Sequence, residues 1–192
     1  MRSDALRRRK QILRTARELF ASHGANVAME AIAETSHVGI GTLYRNFADR
    51  IELVEAVTLD MLQDVMDAAE AATESLEQGE TAAWPDFLDT LVELNLGALS
   101  ESLSIQLPAK VGARILQPQR ATALAVSKAL ELAQAEKLVR QDLTGHELIT
   151  GIGMITRPLP RAFAKAAPGV GQRLTRIMLD GMLPNQAQAE LR

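Results

Sequence analysis

The spacing of apolar residues constrains this chain more than any other feature. They return every third or fourth position along most of its length, and no run of alternating β-branched residues of strand length interrupts them. That is the period of an α-helix, on which residues three and four apart share a face. Segments rich in Ala, Leu, Glu and Gln add intrinsic helix preference to the pattern. An all-α fold of about nine helices is expected, and 192 residues that are 47% hydrophobic suffice for a real core in one or two domains. With no Cys in the sequence, disulfide frameworks, thiolate zinc sites and Cys nucleophiles are excluded. Metal chemistry would have to rest on three His, and no cofactor is expected. The longest apolar runs fall far short of the roughly 18 residues that span a bilayer, and no apolar signal core follows the basic N-terminus. A cytoplasmic protein without membrane association is expected.

Helix ends are marked by turn and capping residues. The first helix is expected from near Asp4 to His23, with Ile12, Ala16, Leu19 and Phe20 on one face and Gly24 as its C-terminal cap. Two short helices follow, Met29 to Ser36 and Ile40 to Phe47, on either side of His37-Val38-Gly39. A long helix should run from Arg50 to about Leu76, with Val57, Met61, Val65, Ala68 and Ala72 on one side and an acidic stripe opposite. Trp84-Pro85 opens a helix that should reach about Ser102, because Pro is tolerated in a first turn. Leu107-Pro108 and Gln117-Pro118 read as breaks, with a helix from Gln119 to Ala135 after them. Thr144 and Glu147 have the spacing of a capping box, opening a helix that runs through Ile155 to the break at Arg157-Pro158-Leu159-Pro160. A last helix is expected from Pro168 to Leu183.

Charge is divided unevenly. The net charge of −3 conceals a head, residues 1–50, with 9 Lys/Arg against 5 Asp/Glu, ahead of an acidic body. A basic end suits a polyanion, since neutralised phosphates release counterions. A solvated basic helix, or one that lies on anionic lipid through Arg7-Arg8-Arg9-Lys10, are the other readings of that charge. The stretch AIAETSHVGIGTLYRNF, Ala31 to Phe47, is the most informative. Two short helices about a three-residue turn make a helix-turn-helix, whose second helix can enter the DNA major groove while the first braces it. Thr42, Tyr44, Arg45 and Asn46 supply groups for phosphates and base edges, and Leu43 and Phe47, four apart, anchor the helix behind.

Gly41-Thr42-Leu43-Tyr44-Arg45-Asn46-Phe47 resembles the recognition segment of the TetR-family transcriptional regulators. Ile32-Ala33-Glu34 before it, and a first helix with Ile12-Leu13, Ala16, Leu19-Phe20 and Gly24, agree in order and spacing. The resemblance covers roughly the first fifty residues; the remainder agrees only in length, helix number and breaks. It implies an all-α homodimer with a DNA-binding domain at residues 1–50 and a helical ligand-binding and dimerisation domain at 51–192. It also implies that Gly39, Gly41, Thr42, Tyr44, Arg45, Asn46 and Arg50 face operator DNA. Where the family has Ala-Gly-Val-Ser in the turn, this chain has Ser36-His37-Val38-Gly39. Gly39 therefore offers no side-chain cap to the recognition helix. His37, in place of the turn glycine, reads as a residue that tolerates the left-handed conformation, with a pH switch as the other possibility. Asp49 is placed to cap the fourth helix, and Arg50 to reach phosphate.

Enzyme motifs are wanting. His146-Glu147 lacks a second His at position 150, and Gly151-Ile152-Gly153 and Gly169-Val170-Gly171 lack both the third glycine of a dinucleotide fingerprint and a preceding strand. Those glycines read as places where helices pack closely or start. A ligand-responsive repressor on a near-palindromic operator is expected, with a helical enzyme or small-molecule-binding protein without DNA binding as the alternative. On the helix from Trp84, the residues Leu88, Leu91, Val92, Leu96 and Leu99 form an apolar arc with Asn95 near its middle. Either backbone or water satisfies that amide, or it orients a ligand among Met61, Val65, Trp84, Leu88, Leu91 and Ile115. Acids project from the other face, so a small, mainly hydrophobic effector is expected. The segment Leu148 to Ile155 is apolar all round, and the last helix has a wide apolar arc. A two-fold bundle through Leu148, Ile152, Ile155, Leu174, Ile177 and Met178 would cover both.

Overall fold

The computed structural model describes residues 2–23, 26–98, 109–157, 166–167 and 169–184, and contains no strand among them. Among the described residues eight helices stand in order: α1 (Arg2–His23), α2 (Met29–Thr35), α3 (Ile40–Asn46), α4 (Arg50–Glu77), α5 (Ala83–Glu93), α6 (Ala109–Ala135), α7 (Gly145–Ile155) and α8 (Val170–Gly181). The cap at Gly24, the helix end near Ser102, the break at Leu107-Pro108 and that at Pro158 to Pro160 lie outside the described residues.

Two expectations need correction. Helix α6 begins at Ala109 and runs through Pro118, where a break was expected. Proline in a helix interior forfeits one hydrogen bond and crowds the preceding turn, but packing on both sides carries the helix past it, with Ile115 before and Thr122 and Val126 after all buried. Helix α5 ends at Glu93 instead of near Ser102. Asn95 there takes a left-handed φ of 52°, and residues 96–98 are helical again. The turn removes Asn95 from the arc on which continuous helical projection had placed it. Its side chain is exposed, and its amide donates to the Glu93 carbonyl at 3.3 Å.

The chain divides into two compact units, Met1–Leu62 with Ala98–Pro118, and Gln63–Gly97 with Gln119–Arg192. The division does not fall at residue 50, because Leu53, Val54 and Val57 of α4 are completely buried inside the first unit. Its core also takes in Ile12, Ala16 and Phe20 of α1, Ile32 of α2 and Leu43 of α3, all at 0% exposure. Helix α1 packs on α2, and α2 on α3.

The second unit is built on Trp84, Phe87 and Leu91 of α5, Ala129 and Leu130 of α6, and Leu148 and Ile152 of α7. The Trp84 and Phe87 ring centroids lie 5.8 Å apart. Gly97 makes the closest backbone approach: a Cβ there would sit 1.9 Å from the Gly153 carbonyl oxygen, and its N–H donates to Thr156 Oγ1 at 2.8 Å. Helix α8 packs on α7, where Gly151 leaves room for the Met178 sulfur. No described helix is long and apolar enough to cross a membrane.

Candidate nucleic-acid interface

The turn between α2 and α3 is held from inside. Buried Ser36 donates its hydroxyl to the Ile32 carbonyl at 2.6 Å, closing α2. His37 follows with φ 54°, the left-handed conformation expected of it. Gly39 is the extended N-cap of α3 and makes no side-chain cap, so its carbonyl accepts from Thr42 and Leu43 at 2.8 and 3.1 Å without further help.

Seven residues of α3 then present two contrasting faces. Leu43, with Phe47 just beyond, is at 0% exposure, while Gly39, Gly41, Tyr44 and Arg45 are exposed and Thr42 and Asn46 half-buried. At about 100° per residue, Arg45 lies about 180° from the midline of Leu43 and Phe47, and Tyr44 and Asn46 lie about 80° to either side. Two of these side chains already have partners. Arg45 Nη2 donates to Thr42 Oγ1 at 2.9 Å, and Asn46 Nδ2 donates to the Thr42 carbonyl at 2.8 Å.

Arg50, expected at phosphate, is half-buried and donates to the Val27 carbonyl, which ties the start of α4 to the segment before α2. Asp49 caps α4 as expected, accepting from Glu52 N at 2.8 Å, while Glu52 accepts from Ala48 N at 2.7 Å. Arg9 went unrecognised in the sequence as anything but one of a basic run. Its Nη1 donates to the Asn46 carbonyl at 2.7 Å, and its guanidinium lies 4.2 Å from the Phe47 ring centroid. It therefore closes the C-terminal end of α3, where carbonyls lack helical partners. Ile40, 40% exposed at the start of α3, was also missed; only its apolar side chain on an otherwise polar face signals it.

The remaining residues named from sequence fall in several places. Val65, Trp84, Leu88 and Leu91 are buried in the second unit, Met61 and Ile115 are buried in the first, and Asn95 is exposed. Leu148 and Ile152 are at 0% exposure within the single chain, so they serve its own core and are withdrawn as partner-facing residues. Leu174 and Ile177 are 47% and 66% exposed, and Met154, which the sequence reading did not select, is 68% exposed. Ile155 and Met178 are half-buried.

Two short helices about a left-handed turn, with the second anchored by apolar residues and polar outward, define a helix-turn-helix protein. Residues 12–57 match the family described as bacterial regulatory proteins, tetR family. The HTH-type transcriptional regulator SAB2452 of Staphylococcus aureus is 43% identical over 54 residues, which are 28% of this chain and 29% of that protein. The match thus spans under a third of that relative. Likeness over nearly the whole chain comes from solved structures. The TetR transcription regulatory protein from Mycobacterium vanbaalenii is 27% identical with a TM-score of 0.64, over 95% of this chain and 98% of that one. The TetR transcriptional regulator SCO0520 from Streptomyces coelicolor has a TM-score of 0.66 at 22% identity, over 92% and 99%, a likeness of fold. Residues 12–57 thus carry the helix-turn-helix of the tetR family, and the chain as a whole shares the fold of TetR-family structures, an N-terminal helix-turn-helix domain and a C-terminal helical domain. Its relatives carry the names of transcriptional regulators.

Proposed function

We propose that this protein is a ligand-responsive, sequence-specific DNA-binding transcriptional regulator of the cytoplasm. It acts as a homodimer that represses from a near-palindromic operator and leaves it on binding a small hydrophobic effector. The observation that carries this reading is the outward face of α3, where Gly39, Gly41, Tyr44 and Arg45 are exposed while Leu43 and Phe47 are fully buried. A seven-residue recognition helix makes too few base contacts alone, so two copies on two half-sites are required. Exposed Met154, Leu174 and Ile177 supply an apolar face for the second copy, with Ile155 and Met178 at its edge. Residues 51–192 are assigned to dimerisation and effector binding. Val65, Trp84, Leu88 and Leu91 are the proposed apolar lining, and Asp86, Asp89 and Glu93 are exposed on the other side of α5. Exposed Asn95 has no part in that lining. The effector acts only through better binding to the arrangement that does not fit DNA.

A gel shift of the full-length protein on duplex DNA from upstream of its own gene tests the reading. A complex that weakens as salt rises is expected, with about uniform loss across sequences in a Tyr44→Ala variant. No complex at micromolar protein would favour the helical small-molecule-binding protein that does not bind DNA.

A further inference from the structure

Arg45 is the one charged residue in the α3 sequence IGTLYRN, and it points directly away from the helix's buried anchors. Long side chains on a helix lean toward its N-terminus and lie over the preceding turn. Here that turn holds Gly41, where even a Cβ would meet nothing within 4 Å. The head of Arg45 meets the Thr42 hydroxyl at 2.9 Å. Thr42 is β-branched and restricted at χ1, so this contact limits the freedom of an otherwise long and mobile side chain. One of the five guanidinium N–H groups is used, leaving four donors and no acceptor.

We propose that Arg45 reads a guanine in each operator half-site, with Thr42 orienting its guanidinium. The proposal deepens the DNA-binding reading and rests on it. A head made only of donors selects the base edge made only of acceptors. Guanine offers O6 and N7 in the major groove, whereas adenine sets a donor beside its N7, cytosine presents a donor, and thymine one acceptor and a methyl group. Phosphate is also acceptor-only, but position separates the two targets. The side of a recognition helix opposite its core anchors meets the groove floor, while its flanks, here Tyr44 and Asn46, meet the strands.

The test selects binding sites from a randomised duplex library, at fixed salt, with the full-length wild type, Arg45→Ala and Thr42→Val. Wild-type sites should carry an invariant guanine at one position of each half-site. Arg45→Ala should lose the preference at that position alone and bind the wild-type site at least about ten-fold more weakly. Placing 7-deazaguanine there should cost the wild type a similar factor and Arg45→Ala nothing, since the lost N7 has no partner in the variant. Thr42→Val should keep guanine with a reduced preference. The proposal is overturned if Arg45→Ala retains the guanine, if 7-deazaguanine weakens both proteins alike, or if Arg45→Ala weakens all duplexes equally with unchanged preference, which assigns Arg45 to phosphate. Enrichment of no sequence by the wild type would overturn the DNA-binding reading itself, a distinguishable result.

Discussion

Arg9 belongs to the run Arg7-Arg8-Arg9-Lys10, yet the members of that run have different surroundings. Arg7 pairs with Asp4 in solvent, and Arg8 and Lys10 are exposed, whereas Arg9 is drawn onto the Phe47 ring and the last carbonyl of α3. A surface ion pair such as Arg7 with Asp4 contributes about 0–1 kcal/mol. A guanidinium packed on a ring and bonded to the last carbonyl of a helix contributes more. Arg9→Ala is therefore expected to lower unfolding stability by about 1–2 kcal/mol in a urea titration, and Arg8→Ala by no more than about 0.5 kcal/mol. Equal effects of the two would remove Arg9's special role. Nothing local distinguishes Arg9 from Arg8, because its partners sit on other helices. His37 is the opposite case: its left-handed conformation is legible through the family resemblance, which has glycine at that place in the turn.

Among elements, α7 starts as its sequence requires. Thr144 Oγ1 accepts from Glu147 N at 3.2 Å, and the Glu147 carboxylate accepts from Thr144 N at 2.9 Å. The Thr144 side chain, and then its backbone, hold the Glu147 carboxyl below the usual glutamate range. A depressed folded value means stability that is complete above the unfolded value and is lost as pH falls through the folded one. The melting temperature of the wild type should therefore exceed that of Glu147→Ala most at neutral pH, and the gap should close in acid below the usual glutamate range. Asp142, whose carboxyl is lowered mainly by its hydrogen bond from Arg140, titrates in both proteins, and its charge opposes the lowering of Glu147 by a smaller effect than the Thr144 hydrogen bonds. A gap independent of pH would show that the carboxylate is not what caps the helix.

The glycines of α7 make a contrasting case, since the sequence marked Gly151 and Gly153 for close packing, while the indispensable one is Gly97. Gly97→Ala places a methyl against backbone that cannot yield, and should cost about 3 kcal/mol or more. Gly153→Ala meets nothing within 4 Å and should be neutral or stabilise by up to about 1 kcal/mol, both read by thermal melts. A tolerated Gly97→Ala would contradict the close approach to the Gly153 carbonyl.

For the molecule as a whole, the outstanding feature is apolar surface that the single chain leaves uncovered. Met154 on α7 and Leu174 and Ile177 on α8 are each about half exposed or more, while no residue of α8 is buried. With a dimer proposed through this face, the wild type should sediment as a dimer at micromolar concentration and Ile177→Asp as a monomer. The variant's circular dichroism should be unchanged, because residue 177 is 66% exposed and serves no internal packing. A variant that stays dimeric would move the interface elsewhere. Loss of the dimer should also weaken operator binding steeply, since a lone recognition helix reads one half-site.

Features that depend on residues within a turn or two of one another were determined by the sequence alone. The period of three to four dictates helices, Thr144 with Glu147 dictates where one begins, and Leu43 with Phe47 dictates which side of α3 faces inward. Tertiary structure decided what local pattern leaves degenerate. A helix apolar all round does not say which side is inside, and only packing turned Leu148 and Ile152 inward and Met154 outward. Pro118 reads as a stop until buried neighbours hold the helix through it, and Asn95 reads as helical until the chain turns there. Arg9 finds Phe47, and Gly97 finds Gly153, across separations that no helical period spans. The physical reason is common to all five: the free energy that selects each arrangement comes from surfaces brought together only when distant segments pack.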